Sequence, residues 1–349
     1  MRTAAAYGLE FQARCIAPFY HPSNGNVESH RFLVGTSCFS GDNKIYLLEH
    51  HDETKLLECM TVWFHEEEVC GLWSSPSLTD PSLFAMSSPT ATSVFQVPET
   101  LAGELRDVTA FDVVASQVLW DLDGLQNEVR LTSQDTLRIY ALDEGRLGKE
   151  VSCFRIDGNT RINCAAVDAH HTSVCMVACE KLGLYVIDTR KKSPVSIANT
   201  AALHGMGLTR SIDFSSCQMN LFVTSGDDGF ILWHDMRMGG TTCAVEKKQH
   251  MRAHDHAVPR AILNPFHDEL LISCSSDHTL KLWDSSTGGD DNEPAVCLKK
   301  IADFGDSVVD ACWSSGAPWV FAGVSYNGKV VVDDVPKEKK MAILLKDGW

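Results

Sequence analysis

At 349 residues with 44% hydrophobic content, the chain can bury a sizeable core, and its length allows two domains or one long all-β domain. A formal net charge of −16 argues against nucleic acid and anionic membrane surfaces as direct partners; it permits a basic protein partner, though a solvated acidic surface is its commoner meaning. Thirteen cysteines form no C-x-x-C pair, and no second pair joins Cys175 and Cys179 to complete a zinc site. They read as reduced thiols serving as small buried hydrophobes, and no cofactor or metal is expected.

The opening MRTAAAYGLEFQAR meets Glu10 before any long apolar run, so no signal peptide is expected. Nowhere is there an apolar run of about 18 residues, which excludes direct membrane insertion by a helix. The pairs His50–His51 and His170–His171 stand in turn regions without metal-site neighbours. Tyr7–Cys15 reads as a first, inner strand, followed by a polar loop, then Arg31–Thr36, Lys44–Glu49 and Leu56–Val62. Those runs make a first blade that lacks a Trp-Asp ending.

Val69–Ser74 opens a second blade, continued by Leu83–Met86 and Ser93–Val97. The acidic cluster Glu66, Glu67, Glu68 in the loop before it is either a solvated turn or a partner-binding site. Asp107–Asp112 opens blade three, with Gln117–Trp120, Val129–Thr132 and Thr136–Ala141 after it. Trp120-Asp121 imitates a blade ending but falls at an earlier strand. Blade four takes Ile162–Asp168, Val174–Cys179 and Leu184–Asp188.

Blade five begins near His204, with Arg210–Phe214, Leu221–Ser225 and Phe230–Trp233. Its interval from Asp228 to Trp233 is one residue shorter than that from Asp277 to Trp283 in blade six. A one-residue slip moves side chains to the opposite face, so the spacing calls for a bulge or altered turn and a complete polar tetrad is not expected there.

Blade six is the most legible: HDHAVPRAILNPFHDELLISCSSDHTLKLWD, residues 254–284, holds three strand-like runs and ends on Trp-Asp, the mark of a WD40 blade. His254, Ser273, Asp277 and Trp283 stand at positions where such blades carry a buried hydrogen-bond chain. A Ser, a His and an Asp also suggest a hydrolase triad. The blade spacing favours the structural tetrad, so no catalytic residue is assigned.

The stretch 285–295 reads as a flexible acidic loop with Asp290 and Asp291. Blade seven takes Ser307–Trp313, Val320–Val324 and Lys329–Asp333, and Met341–Leu345 reads as a further outer strand within a terminal segment 337–349. One seven-bladed all-β WD40 propeller over residues 1–349 follows. Its two ends are expected to meet by ordinary packing, without a shared blade.

With the blades placed, Tyr7-Gly8-Leu9-Glu10-Phe11-Gln12-Ala13-Arg14 and Arg31-Phe32-Leu33-Val34-Gly35-Thr36 resemble the opening of the EARP and GARP complex-interacting WD40 proteins. Asp306-Ser307-Val308, Trp313-Ser314-Ser315, Pro318-Trp319, Ser325-Tyr326, Val335-Pro336 and Ile343-Leu344-Leu345 are similar to that family's closing stretch, and Ile187-Asp188-Thr189-Arg190 and Gly226-Asp227-Asp228 also fit. The loop at Ser285–Pro294 is shorter than the family's acidic insertion, and blade four ends Ile187-Asp188 where Trp-Asp is expected.

The resemblance implies a non-catalytic scaffold, monomeric within a larger complex. It implies binding to shared subunits of EARP and GARP tethering complexes, in the cytoplasm beside endosomes and the trans-Golgi network. Retrograde transport and endosomal recycling would be its setting, and a small GTPase is a further partner class left open. Loop position alone suggests Glu66, Glu67, Glu68, Asp227, Asp228, Asp290 and Asp291 as contact residues. Trp319, after Pro318 in a turn, is the aromatic anchor of choice, against the alternative that it packs under its loop. A second reading is a substrate receptor of a cullin-type ubiquitin ligase, suggested by Asp188-Thr189-Arg190 and Asp235-Met236-Arg237. A peroxisomal-import receptor is a third.

Overall fold

A computed structural model describes residues 4–19, 29–39, 41–76, 82–98, 100–120, 128–143, 146–156, 160–180, 182–191, 193–197, 203–239, 242–285 and 295–346. Twenty-eight strands form seven antiparallel four-stranded sheets arranged as a ring of blades. After β1 (Ala5–Gly8), blade one is β2 (Ala13–Phe19), β3 (Ser29–Thr36), β4 (Asn43–His51) and β5 (Leu57–His65). Blade two is β6 (Gly71–Ser74), β7 (Leu83–Ser87), β8 (Thr92–Gln96) and β9 (Arg106–Phe111). Blade three is β10 (Gln117–Trp120), β11 (Glu128–Ser133), β12 (Thr136–Asp143) and β13 (Arg146–Arg155). Blade four is β14 (Ile162–Val167), β15 (Val174–Cys179), β16 (Gly183–Asp188) and β17 (Val195–Ser196).

Blade five is β18 (Thr209–Phe214), β19 (Leu221–Gly226), β20 (Phe230–Gly239) and β21 (Thr242–Arg252). Blade six is β22 (Arg260–Leu263), β23 (Leu270–Cys274), β24 (Leu280–Asp284) and β25 (Val296–Ile301). Blade seven is β26 (Val308–Trp313), β27 (Val320–Ser325) and β28 (Lys329–Asp334), completed by β1. Each first strand lines the central channel.

The middle strands carry unbroken apolar runs because both of their faces are covered. Val174–Cys179 and Val320–Ser325, for example, are buried at every position. A single blade cannot supply that cover, so neighbours must. Seven apolar clusters result, one at each contact between successive blades, including the contact of blade seven with blade one. Polar bonds stitch the same contacts near the axis. The Ile16 amide donates to Asp310 (3.1 Å), the Leu263 amide to Asp213 (2.8 Å) and the Ala165 amide to Gln117 (2.8 Å). The indoles of Trp120 and Trp313 donate across blades to the carbonyls of Trp73 (3.0 Å) and Ile262 (3.2 Å). Trp120 is thus an inner-strand residue, as its position in blade three requires.

Three expectations are corrected. Tyr7–Cys15 is two strands, and the first closes the ring. Residues Ala5–Gly8 pair antiparallel with Lys329–Val332 of blade seven, and the Leu9 amide donates to the Gly328 carbonyl at 2.8 Å. The blade is therefore shared between the two ends of the chain. Gly328 has φ +82°, and a Cβ there would collide with the Phe11 carbonyl, so only glycine fits where the first segment crosses.

The blade-three boundary is the second correction. Asp107–Asp112, read as opening blade three, falls on β9, the outer strand of blade two, bonded to β8, and blade three begins at Gln117.

The third concerns Met341–Leu345, which lies within a helix, α1 (Lys337–Lys346), and not in an outer strand. The run KEKKMAILLK is built from strong helix formers, Glu338 sits in the first turn and Lys346 in the last, and the Lys340 amide bonds back to the Pro336 carbonyl (3.0 Å). Ile343 is buried in the cluster of blades six and seven, while Lys339 pairs with Glu269 (2.7 Å) and Asp284 (2.8 Å). The helix is thereby clamped beneath those two blades. Among the described residues no helix is long and apolar enough to cross a membrane.

Candidate functional site

In blade six the four tetrad residues meet. The His254 ring places Nδ1 2.9 Å from Asp277 and Nε2 2.7 Å from the Ser273 hydroxyl, and the Trp283 indole donates to that hydroxyl at 2.8 Å. Nδ1 therefore donates to the carboxylate and Nε2 accepts from Ser273. Burial pushes the His254 imidazolium down to about 4. Burial alone would raise Asp277, but the Thr279 hydroxyl and His254 outweigh it and hold that carboxyl at about 2. Ser273 is 0% exposed and shares its oxygen with the Trp283 donor, so no substrate reaches it. The chain fixes the rotamers of a blade core and leaves no open nucleophile at this position.

Blade five holds the same chain in different residues, which corrects the expectation drawn from its spacing. His204 Nδ1 lies 2.9 Å from Asp228, its Nε2 3.0 Å from the Thr224 hydroxyl, and that hydroxyl 3.0 Å from His234 Nε2. The Trp position is taken by His234, not Trp233. Phe222 pairs with His234 as Leu271 pairs with Trp283, so the hairpin needs no slip. A bulge does occur, but toward the outer strand, between Trp233 and His234. The equivalent bulge in blade six lies between Leu282 and Trp283. Burial drives His234 down to about 3, and its Nδ1 has no partner among the described residues. An Asp followed six residues later by a ring that can donate a hydrogen bond was the signal that could have found it.

The channel wall carries one more displaced acid. Asp213 accepts the Leu263 amide, and desolvation raises its carboxyl to about 7 against a weaker opposing pull from that amide and Arg260. Its unfolded value is near 3.9. The folded state thus holds the proton more tightly, and stability is fully present below pH ~4 and lost as pH rises through ~7. Asp213→Asn, which keeps an acceptor for Leu263, should match wild type at pH 4 and exceed it at pH 8. Asp213 is only half-buried, so solvent screening limits the gain to roughly 1–2 kcal/mol. Urea unfolding at both pH values checks this, and parallel curves would refute the assignment.

The surface candidates scatter. Glu67 accepts the Thr90 hydroxyl (2.6 Å), Glu68 accepts the Ser37 hydroxyl (2.7 Å), and Glu66 is exposed. Asp227 is paired with Arg210 (2.6 Å) and Asp228 belongs to the tetrad of blade five. Asp290 and Asp291 lie outside the described residues. Trp319 is half-buried: His267 stacks on it at 4.9 Å between centroids and Lys340 of α1 stands 5.2 Å from its ring centre. It sits under the helix in the β26–β27 turn of blade seven, whereas Glu66–Glu68 lie in the link from blade one to blade two. In both Asp-x-Arg endings the pair closes on itself, Arg190 with Asp188 (2.9 Å) and Arg237 with Asp235 (3.2 Å). The sequence reading missed Phe39 and Phe64, which stand on blade one as exposed aromatics. The described buried thiols are pushed up, Cys164 and Cys179 to about 12 and Cys175 to about 11, by burial. Among the described residues no cluster of metal-ligating side chains occurs.

The sequence model of the EIPR1 beta-propeller family matches residues 1–283. WD repeat-containing protein DWA2 of Arabidopsis thaliana is 26% identical over 351 residues, spanning 94% of this chain and 95% of the relative. EARP and GARP complex-interacting protein 1 of Homo sapiens is 24% identical over 393 residues, spanning 97% and 98%. EARP-interacting protein 1 of Caenorhabditis elegans is 23% identical over 374 residues, spanning 99% of each.

Proposed function

Because the chain belongs to the EIPR1 beta-propeller family, we propose that it is a non-catalytic scaffold that binds EARP- and GARP-type tethering complexes through their shared subunits. The similarity to EARP and GARP complex-interacting protein 1 along nearly the whole of both chains carries this reading. The closed ring supports it physically. A propeller holds its loops on a rigid frame, so the loops and edges are free to specify a partner. On this reading the protein works in the cytoplasm, held peripherally at endosomes and the trans-Golgi network by its tether. There it supports retrograde transport and endosomal recycling, with a small GTPase as a further member of the assembly.

A substrate receptor of a cullin-type ligase is the competing reading. Its observation is the pair Arg190 and Arg237, whose side chains are exposed just after β16 and within β20 in adjacent blades. Affinity purification of the tagged chain from its native cell, with mass spectrometry, separates the two. Tether subunits are expected among the most enriched proteins. A cullin adaptor in their place, with no tether subunit above background, would overturn the scaffold reading.

A further inference from the structure

We infer that the outer edge and upper rim of blade one form the docking surface for a basic amphipathic segment of the tether, an inference that rests on the scaffold reading above. The edge strand β5 and the turns beside it leave apolar side chains exposed on both sides of a bulge. Leu56, just before it, is 53% exposed, Met60 39% and Phe64 78%, and Phe39 in the turn between β3 and β4 is 94% exposed. Their inward neighbours Leu57, Cys59 and Trp63 pack into the blade contacts, so the outward set is not spare core. Exposed apolar side chains along an edge strand are an aggregation hazard unless something covers them.

The partner would meet side chains rather than the strand edge. The register between β4 and β5 shifts at Leu47/Leu48, where Cys59 and Thr61 pair and Met60 does not. That bulge breaks the run of backbone groups an added strand would need.

Charge complementarity names the chemistry. Glu58 and Glu66 are exposed beside that set, and neither forms an ion pair among the described residues. The turn carrying Phe39 is tied to the acidic turn through Ser37 and Glu68 (2.7 Å). The same surface already shows which ligand it holds. Lys44 Nζ lies 5.4 Å from the centroids of both Phe11 and Phe64 and is ion-paired to Glu10. The turn that carries Phe39 also runs beside Glu66, whose carbonyl lies 3.8 Å from where a Cβ on Gly41 would stand, and among the described residues neither Phe39 nor Glu66 holds a cation. A lysine or arginine between apolar residues of the partner fits it. The net charge of −16 adds long-range attraction for a basic segment.

The test uses the full chain, with the tether captured from native-cell lysate and quantified by its subunits. Phe39→Ser/Phe64→Ser should melt like wild type and capture at least ~10-fold less tether, the loss of two aromatic anchors. Glu66→Lys should lower capture several-fold, and wild-type capture should fall as salt rises from about 0.1 to 0.5 M. If wild type captures no tether, the scaffold reading itself fails. Equal capture by wild type and the serine variant leaves that reading intact and overturns this surface. Loss with the serines but no response to Glu66→Lys or salt overturns the basic chemistry. A wild-type dimer that the serines dissociate, with capture unchanged, gives the surface to a second copy of the chain.

Discussion

Trp283→Ala is expected to destabilise the protein by roughly 3–5 kcal/mol, the largest loss from any single side chain considered. The ring is buried between blades five and six, against Val223, Ile231, Met251 and Val258. It also stands edge-on to His254, 6.3 Å between centroids at 81°. Truncation leaves a cavity and removes the donor to Ser273, whose hydroxyl is buried. At 349 residues, the average entropy of unfolding converts this to a fall of about 4–7 °C in melting temperature. Blade five supplies an internal control. Its His234 does the same work with a smaller ring, so Trp283→His should keep the hydrogen bond and cost less than alanine. Thermal unfolding followed by circular dichroism, with tether capture measured alongside, checks the series. An unchanged melting temperature with lost capture would return function to the blade itself.

Most of the architecture was legible because the middle strands announce themselves. Runs such as Val174–Cys179 and Leu270–Cys274 are apolar on both faces, and turn residues bound them. The outer strands are not so marked. Val296–Ile301 buries only its last residue, and Arg106–Phe111 carries charges outward, so the first was passed over and the second assigned to the next blade. Helix α1 was misread because five apolar residues in a row suit either periodicity. The deciding signals lay in its flanks, the lysines and Glu338 that favour a helix after Pro336. Blade five was misjudged by fixing on the letter Trp. The tetrad position asks for a buried ring donor, and His234 qualifies as well as Trp233 fails. The docking surface was half legible: Glu66–Glu68 stand out in the sequence. Phe39 and Phe64 do not, since only the pleat of β5 and the turn at Phe39 decide that they face outward.

Ring closure is the second place where a small change should have a large effect. Removing residues 1–8 deletes β1 and leaves β28 as a bare edge. Four register pairs disappear, along with the packing of Tyr7 on the cluster shared by blades seven and one. At a net ~1 kcal/mol per backbone bond, the scale is about 4–5 kcal/mol before apolar contacts are counted. The consequence exceeds the sum. Val330–Val332, now covered by Ala5–Tyr7, would present an unpaired apolar strand, and such edges associate. The shortened chain should therefore melt at least ~6 °C lower and form concentration-dependent oligomers in light scattering. A peptide of residues 1–12 supplied in excess should restore both properties, because the vacated strand position is the only thing missing. Packing alone still joins blade seven to blade one through Cys312, Val320 and Val324 against Ile16, Phe32 and Val34. If that suffices, the shortened chain will match wild type in melting and mass, and the shared blade would be a decoration on a ring already closed by its core. The collision that a side chain at Gly328 would make with Phe11 argues otherwise, since a crossing this close constrains both segments at once.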